Sequence, residues 1–225
     1  MMPTRPPNRP SRAAAAMLVA LCALAACSRP AAPTPAEPAG VATASPQTAA
    51  QPSLWRLDAE ASQLSFVSIK NDRIAEVHRF TDLIGTVDAE GEANLKVGLE
   101  SVQTGIEIRD QRMRELLFEA ASYPQAVVTL SVDPQVIGAL APGTSQLLRT
   151  DVRLELHGLA GTMPAMLRVT RLDAQRWLVT SEQPVIVDAA AFDLVAGVEQ
   201  LREVAGLQSI ATGIPVSFAL SFVGS

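Results

Sequence analysis

The chain has 225 residues, 48% of them hydrophobic, with 18 Lys and Arg against 23 Asp and Glu. Three of the arginines lie within residues 1–26. Without that segment the chain would have 15 basic residues against 23 acidic ones, a net charge of −8. No basic block is present, so this balance disfavours nucleic-acid binding and electrostatic docking to anionic lipid.

The N-terminal segment, residues 1–26, has the pattern of an export signal. Three arginines precede an apolar run at residues 13–26, shorter than the roughly 20 residues that a membrane-spanning helix needs. The run ends in Leu24-Ala25-Ala26-Cys27, which resembles the lipobox of bacterial lipoproteins. That resemblance implies a lipid anchor on Cys27, and Ser28 after it implies the outer membrane, with the domain facing the periplasm. The alternative is an ordinary signal peptide followed by a chance cysteine.

Residues 27–53 are predicted to be a linker that begins at the lipidated cysteine. After Cys27 the segment has six prolines and no aromatic, Leu or Ile residue, so it cannot bury enough apolar surface to fold. Fully extended, it would reach up to ~80 Å. The second cysteine, Cys22, is expected to leave with the signal. The mature domain should therefore contain no disulfide, no cysteine metal site and no cysteine nucleophile.

Residues 54–225 form one predicted domain whose dominant pattern is the period of two typical of β-strands. Clean or weaker alternation occurs in eight runs: residues 63–70, 77–87, 94–100, 126–132, 151–157, 164–172, 176–187 and 216–222. Short polar or Gly/Pro turns join the runs. About eight such strands predict a mainly β protein, either an antiparallel sandwich or a closed barrel.

Two segments have helical spacing instead. Apolar residues between Met113 and Ala120 follow Asp110, which predicts a short helix with Asp110 as its N-cap. Residues 189–207 predict a second helix, with Asp188 as its cap. Gly197 and Gly206 make the ends of this second helix the least defined part of the prediction.

Several motifs together resemble a known family, the YceI-like domain, a polyisoprenoid-binding, lipocalin-like barrel. The resemblance covers residues 54–225 and lies in the order and spacing of the motifs. They are Trp55-Arg56-Leu57-Asp58 with Ser62-Gln63-Leu64-Ser65-Phe66; Ser101-Val102-Gln103-Thr104-Gly105 with Arg109-Asp110, Leu117-Phe118-Glu119 and Tyr123-Pro124; Leu154-Glu155-Leu156-His157-Gly158; and Ile214-Pro215-Val216-Ser217-Phe218. The turn at Ala189-Ala190-Ala191-Phe192-Asp193 departs from the family, because many members carry an arginine there.

The resemblance implies an antiparallel lipocalin-like barrel of about eight strands, with one or two short helices, around a long isoprenoid chain. A barrel of this size is just wide enough to be filled by its own side chains or to hold one slender ligand. Each candidate residue could therefore either pack in a filled core or line the space that holds a ligand. The candidate lining residues are Phe66, Leu95, Val97, Leu99, Leu130, Leu154, Leu156, Phe218 and Leu220, with Phe118 and Phe192 closing the ends.

Arg109 has two interpretations. Its guanidinium could bind the head group of a lipid at the mouth of the barrel, since arginine forms bidentate contacts with pyrophosphate. Alternatively, Asp110 caps the helix and Arg109 pairs with a nearby carboxylate. We favour the second interpretation because aspartate is a common N-cap.

The remaining residues offer no catalytic constellation. His78 and His157 are the only histidines, and neither has the neighbours that a metal site requires, so an exposed or structural role is favoured for both. Gly-x-Ser-x-Gly, a phosphate-binding loop and a dinucleotide fingerprint are missing from the sequence. The sequence thus assigns no catalytic residue, metal or cofactor.

Three functions follow from these patterns. The leading hypothesis is an envelope lipoprotein that carries or sequesters an isoprenoid or other long-chain lipid inside its barrel. The second is a structural or interaction lipoprotein with a filled barrel that binds an envelope protein. The third, an enzyme such as a lipid hydrolase, lacks any recognisable nucleophile. A homodimer is left open.

Overall fold

The structure is a computed structural model that describes residues 54–224. The predicted export signal, the lipid anchor on Cys27 and the linker all lie outside the described residues. Within them the chain forms eleven strands. These are β1 Leu54–Lys70, β2 Ile74–Phe80, β3 Leu83–Asp88, β4 Glu92–Gly98, β5 Val102–Gln103, β6 Gln125–Ser131, β7 Ser145–Leu156, β8 Leu159–Arg171, β9 Arg176–Ser181, β10 Val185–Asp188 and β11 Gly213–Gly224.

Eight of the strands close into an antiparallel barrel. Their order around the ring is β1-β3-β4-β6-β7-β8-β9-β11, and β11 pairs back onto β1 from Trp55↔Gly224 to Phe66↔Val216. Closure leaves no free edge in the ring, which is how such sheets satisfy all their backbone groups. The predicted fold class, a mainly β antiparallel barrel of about eight strands, is confirmed.

Two runs that the alternation predicted as single strands are each divided in two. The run at 77–87 bends where the backbone N–H groups of Thr81 and Asp82 donate to Ser101 Oγ, at 3.1 and 2.9 Å. The run at 176–187 breaks near Glu182, whose N–H donates to the carbonyl of Met166. The two pieces of each run pair with different stretches of one strand, β2 and β3 with β1 and β9 and β10 with β11, which alternation along the sequence does not reveal.

These breaks give the barrel two different ends. Strand β2 pairs with the second half of β1, and β10 pairs with the first half of β11, so both extend the wall beyond one end of the ring. We call this end the mouth. The opposite end, where β1 begins and β11 finishes, is called the floor.

Three short helices accompany the barrel: α1 Glu107–Arg112, α2 Pro134–Gly138 and α3 Val195–Val204. A π-helical turn, Met113–Leu117, continues α1. The predicted N-cap of α1 is wrong, because the helix begins at Glu107 and the N-cap position is occupied by Ile106, four residues before Asp110. Asp110 lies inside the helix, where its carboxylate accepts hydrogen bonds from the backbone N–H and hydroxyl of Thr104.

The second predicted helix is shorter than expected. A 3-10 turn, Ala189–Phe192, comes first, and Asp188 caps it by accepting a 3.0 Å bond from the N–H of Ala190. Asp193 then adopts the left-handed conformation with φ 55°, which separates the turn from α3. Aspartate is one of the few residues that tolerates this conformation.

Helix α3 packs on the π-helical turn at the mouth. A Cβ added to Gly197 of α3 would lie 2.5 Å from the carbonyl oxygen of Leu116, so the close approach requires glycine. Arg112 joins the two segments further along by donating from Nη1 to the carbonyl of Val204 at 3.4 Å. The helices are therefore held to each other as a cover over the mouth.

Candidate ligand-binding site

The barrel encloses a cavity of about 810 Å³, within the range of small-molecule sites. Its wall is formed mainly by apolar side chains from the barrel strands, α1, the π-helical turn and α3. Eleven of the twelve residues that the sequence suggested for ligand contact lie on this wall: Phe66, Leu95, Val97, Leu99, Arg109, Phe118, Leu130, Leu154, Leu156, Phe218 and Leu220.

Phe192 is the exception among the suggested residues. It is almost completely buried, but it does not line the cavity. Its ring packs against Gly161, where an added Cβ would lie 3.1 Å from the ring. Phe192 therefore belongs to the packed core beneath the 3-10 turn. Phe118, the other suggested end residue, is on the cavity wall and packs against Phe80, with 5.7 Å between ring centroids.

Two tryptophans shape the floor of the cavity. The rings of Trp55 and Trp177 meet edge to face, with centroids 5.7 Å apart. The guanidinium of Arg171 lies over the Trp177 ring at 5.5 Å and donates to the carbonyl of Leu140 at 2.9 Å. Residues of α2, including Ile137, complete the wall at this end. Large rings and a short helix thus form much of the floor.

The mouth end of the cavity contains a buried histidine. His78 on β2 is 3% exposed and lines the cavity. Its Nε2 and the hydroxyl of Ser68 on β1 share a 2.8 Å hydrogen bond, and its ring packs against Phe66 at 5.2 Å. Among residues 54–224, Nδ1 of His78 has no hydrogen-bond partner. A group held in the cavity could bond it.

Next to His78 lies a cluster of three charges. Glu76 Oε2 accepts hydrogen bonds from Lys70 Nζ at 2.7 Å and from Arg109 Nη1 at 2.6 Å. Arg109 also donates from Nη2 to the carbonyl of Thr104 at 2.7 Å. Its buried Nε–H has no hydrogen-bond partner in the described part of the chain. The hydrogen bond from Lys70, helped by the charge of Arg109, lowers the pKa of Glu76 against the opposing effect of burial.

The pairing expected for Arg109 with a nearby carboxylate is present. The same side chain also lines the cavity, so pairing and contact with a head group are not mutually exclusive. Two positive groups and one carboxylate leave the cluster with a net positive charge. Together with His78, it forms the charged end of a cavity that is otherwise mostly apolar.

Burial lowers the pKa of His78 below its ordinary value, and the positive charge of Arg109 lowers it further. His78 is therefore neutral in the folded protein at pH 7. In the unfolded chain the imidazole binds a proton near its ordinary pKa of about 6.5. Below that pH the unfolded state binds more protons than the folded state, so the stability must fall on acidification.

We expect the melting temperature to fall more steeply between pH 7.5 and 5.5 in the wild type than in His78→Asn. The slope from this residue is at most ~1.4 kcal/mol per pH unit. Asparagine keeps a polar side chain at the position but does not titrate. Thermal denaturation followed by circular dichroism at several pH values gives both slopes. Parallel slopes would show that His78 does not couple folding to pH.

At the polar end of the cavity, sequence reasoning identified Arg109 but missed its neighbours. The period of two already places Ser68 and Lys70 on the same face of β1 as Phe66. It also places Glu76 and His78 on one face of β2. A single strand predicted to residue 87 does not reveal that β2 pairs with β1 beside the cavity. His157, the other histidine, packs on Tyr123 with ring centroids 4.3 Å apart.

Two features are absent from the part of the chain that the structure describes. No group of three or more His, Cys, Asp or Glu between residues 54 and 224 could hold a metal ion. In the same segment, none of the helices has the length and apolar character needed to cross a membrane.

A closed antiparallel barrel around an apolar cavity, with short helices over one end, defines the lipocalin-like class. The chain belongs to the YceI family, since the family model for the YceI-like domain matches residues 55–222. The resemblance seen in the sequence is therefore confirmed. A search among curated proteins gave no match.

Two solved structures are similar to this chain. A polyisoprenoid binding domain from Saccharophagus degradans, implicated in plant cell wall breakdown, is 42% identical, with a TM-score of 0.75. That match covers 78% of this chain and 100% of the other. BcnA of Burkholderia cenocepacia is 19% identical with a TM-score of 0.58, over 73% of this chain and 98% of the other, and shows the shared fold.

Proposed function

We propose that this chain is an envelope lipoprotein that binds an isoprenoid or other long-chain lipid inside its barrel and carries or sequesters it. The cavity of about 810 Å³ carries this proposal. On β1 the residues that line the cavity extend from Trp55 to Phe66 and beyond, and these two alone are roughly 36 Å apart along the strand at ~3.3 Å per residue. Such a space suits a chain that is long and narrow.

The chemistry of the wall favours a hydrocarbon tail. Each methylene group that leaves water for an apolar interior gains ~0.8 kcal/mol, so a long prenyl chain can bind tightly without a charged group. The related Saccharophagus degradans domain is described as polyisoprenoid binding, and this supports a prenyl tail here. The lipid anchor on Cys27 would keep the barrel close to a membrane that contains such lipids.

The two other hypotheses have less support. A barrel filled by its own side chains would have no continuous internal cavity, whereas this barrel has a large one. For an enzyme, His78 is the natural candidate base for Ser68, since the two share a hydrogen bond, but among residues 54–224 no carboxylate accepts from its Nδ1 to orient the ring and stabilise its charged form. We therefore propose binding without catalysis.

The polar end of the cavity suggests how the lipid is oriented. Nδ1 of His78 and Nε–H of Arg109 are two buried groups without protein partners between residues 54 and 224. An oxygen-bearing head group, such as an alcohol, a quinone or a phosphate, could accept from Nε–H and bond Nδ1. The tail would then extend toward Trp177 at the floor.

We expect His78→Leu to weaken binding of a prenyl alcohol by about tenfold, because one buried hydrogen bond is worth ~1–1.5 kcal/mol. Binding of squalene, an isoprenoid hydrocarbon without a head group, should change by less than about twofold. Fluorescence titration of the two ligands measures the difference. An equal loss for both would mean that His78 only shapes the wall.

The overall proposal is tested by isolating the full-length chain from cells and extracting it with organic solvent. We expect the protein in the detergent-solubilised envelope fraction and a prenyl lipid in the extract, identified by mass spectrometry. Recovery in the cytosol would contradict the lipoprotein assignment. A protein reproducibly free of lipid, which also takes up no added prenol, would contradict the binding function.

A further inference from the structure

The mouth of the barrel carries exposed apolar side chains that also line the cavity. Ile106 is 49% exposed, Ile108 54% and Val204 47%, yet all three contribute to the cavity wall. We call these three residues the rim. The apolar interior therefore continues to the outer surface at this end.

The fold brings the rim together from two directions. Ile106 and Ile108 stand at the start of α1, and Val204 ends α3, which Arg112 joins to α1. The loop after α3 is fastened to the β1–β2 turn, where Asn71 donates to the carbonyl of Ser209 at 2.9 Å and accepts from the N–H of Gln208 at 2.8 Å. The mouth is thus bounded by elements that hold one another in place.

We propose that the rim docks this protein onto the surface of a lipid bilayer, so that a lipid passes between membrane and cavity without crossing water. This inference rests on the proposed function. We assign the rim to a bilayer because a lipid that binds in an apolar cavity is itself dissolved in the membrane. An apolar surface of this kind enters the boundary between head groups and acyl chains.

Electrostatics are not needed for this docking. The mature chain has 15 basic and 23 acidic residues, and an acidic protein gains nothing from anionic lipid. Docking by apolar side chains predicts binding to zwitterionic membranes. Vesicles of phosphatidylcholine alone are therefore the appropriate surface for a test.

The predicted anchor allows this orientation. Strand β1 begins at Leu54 on the floor and reaches the mouth at Lys70, which forms a bridge with Ile210 beside the rim. The strand spans roughly 50 Å at ~3.3 Å per residue. The linker predicted from the sequence reaches up to ~80 Å when extended, which is longer than the strand.

The experiment uses residues 27–225 with Cys27→Ala in every arm, so that no lipid anchor contributes. The parent is compared with Ile106→Glu/Ile108→Glu and with a control, Ile84→Glu/Leu147→Glu. The control residues are 58% and 49% exposed and lie on β3 and β7, away from the cavity. Each protein takes up radiolabelled geranylgeraniol either from phosphatidylcholine vesicles or from methyl-β-cyclodextrin.

We expect the rim variant to lose about tenfold in transfer from vesicles beyond any change in its binding of prenol from cyclodextrin, a measurement that is needed because both residues also line the cavity. The control variant should keep both. Transfer by the rim variant at the parental rate, or an equal loss in the control, would overturn the docking surface. A parental dimer that the rim substitutions dissociate, with vesicle transfer unchanged, would also overturn it by assigning the rim to a second copy.

A failure of the proposed function gives a different result. The parent would then take up no prenol from cyclodextrin. Its sedimentation with prenol-free vesicles would still report on the rim, since that measurement needs no ligand. Parental sedimentation that the rim variant loses and the control keeps supports docking, and absence of parental sedimentation overturns it.

Discussion

Replacing Ala165 with Phe should strongly weaken binding of a long prenyl lipid while the protein stays folded. Ala165 lies midway along β8, is 7% exposed and lines the cavity. It packs with Val152, Leu167 and Val185. A phenyl ring at this position would enter the hollow and divide it between mouth and floor.

The expected loss of affinity is about 100-fold. A ring across the cavity excludes several methylene groups of the tail, and three or four of them at ~0.8 kcal/mol each account for that factor. Because the ring occupies existing space, the cost of overpacking is small. The free energy of unfolding should stay within ~1 kcal/mol of the wild-type value.

Met166→Phe is the matched control, because neighbouring residues on a strand face opposite sides and Met166 does not line the cavity. Titration with geranylgeraniol gives the affinities, and thermal denaturation shows that both variants fold. If Ala165→Phe binds the prenol as tightly as the control does, the ligand does not occupy the middle of the barrel.

Replacing Gly91 with Ala should have the largest effect on stability. Gly91 lies in the β3–β4 turn with φ +88°, and an added Cβ would be 1.9 Å from the carbonyl oxygen of Val132. The same turn is fixed by hydrogen bonds from Gly91 N–H to Asp88 and from Val132 N–H to the Gly91 carbonyl. The backbone must therefore move and break at least one of these bonds.

We expect Gly91→Ala to lower the free energy of unfolding by about 3 kcal/mol, which for a domain of this size shifts the melting temperature by roughly 6–12 °C. Gly143→Ala is the control that separates backbone strain at a positive φ from the clash with the carbonyl of Val132. Gly143 also has a positive φ, +79°, but nothing lies within 4 Å of an added Cβ. The free energy of unfolding of Gly143→Ala should fall by only ~1–2 kcal/mol, the cost of a Cβ in the left-handed conformation. Equal losses would show that contact with Val132 is unimportant.

The charged cluster explains why the mouth can be both polar and open to lipid. Glu76 holds Lys70 and Arg109 together inside the wall, whereas the rim residues above them are apolar and exposed. A lipid that entered tail first would pass the rim and leave its head group beside His78. Carriage then needs no change of fold, only an approach of the mouth to a membrane.

Much of the wall could be predicted from the sequence. Alternate side chains of a strand point to opposite faces, so the period of two on β4 and β7 assigns Leu95, Val97, Leu154 and Leu156 to the interior. The strand count allows a sandwich or a closed barrel, and the family resemblance carried by the ordered motifs implies the barrel. Arg109 and its pairing with a carboxylate also followed from local chemistry, although the partner, Glu76, did not.

The tertiary structure alone decided the rest. Alternation cannot show that the runs at 77–87 and 176–187 break, because the bonds that bend them come from Ser101 and Met166, distant in sequence. His78 is buried only because β2 pairs beyond the ring. Whether inward leucines fill a barrel or line a cavity depends on how many strands close and how they are staggered. That is a property of the whole sheet, which no single strand encodes.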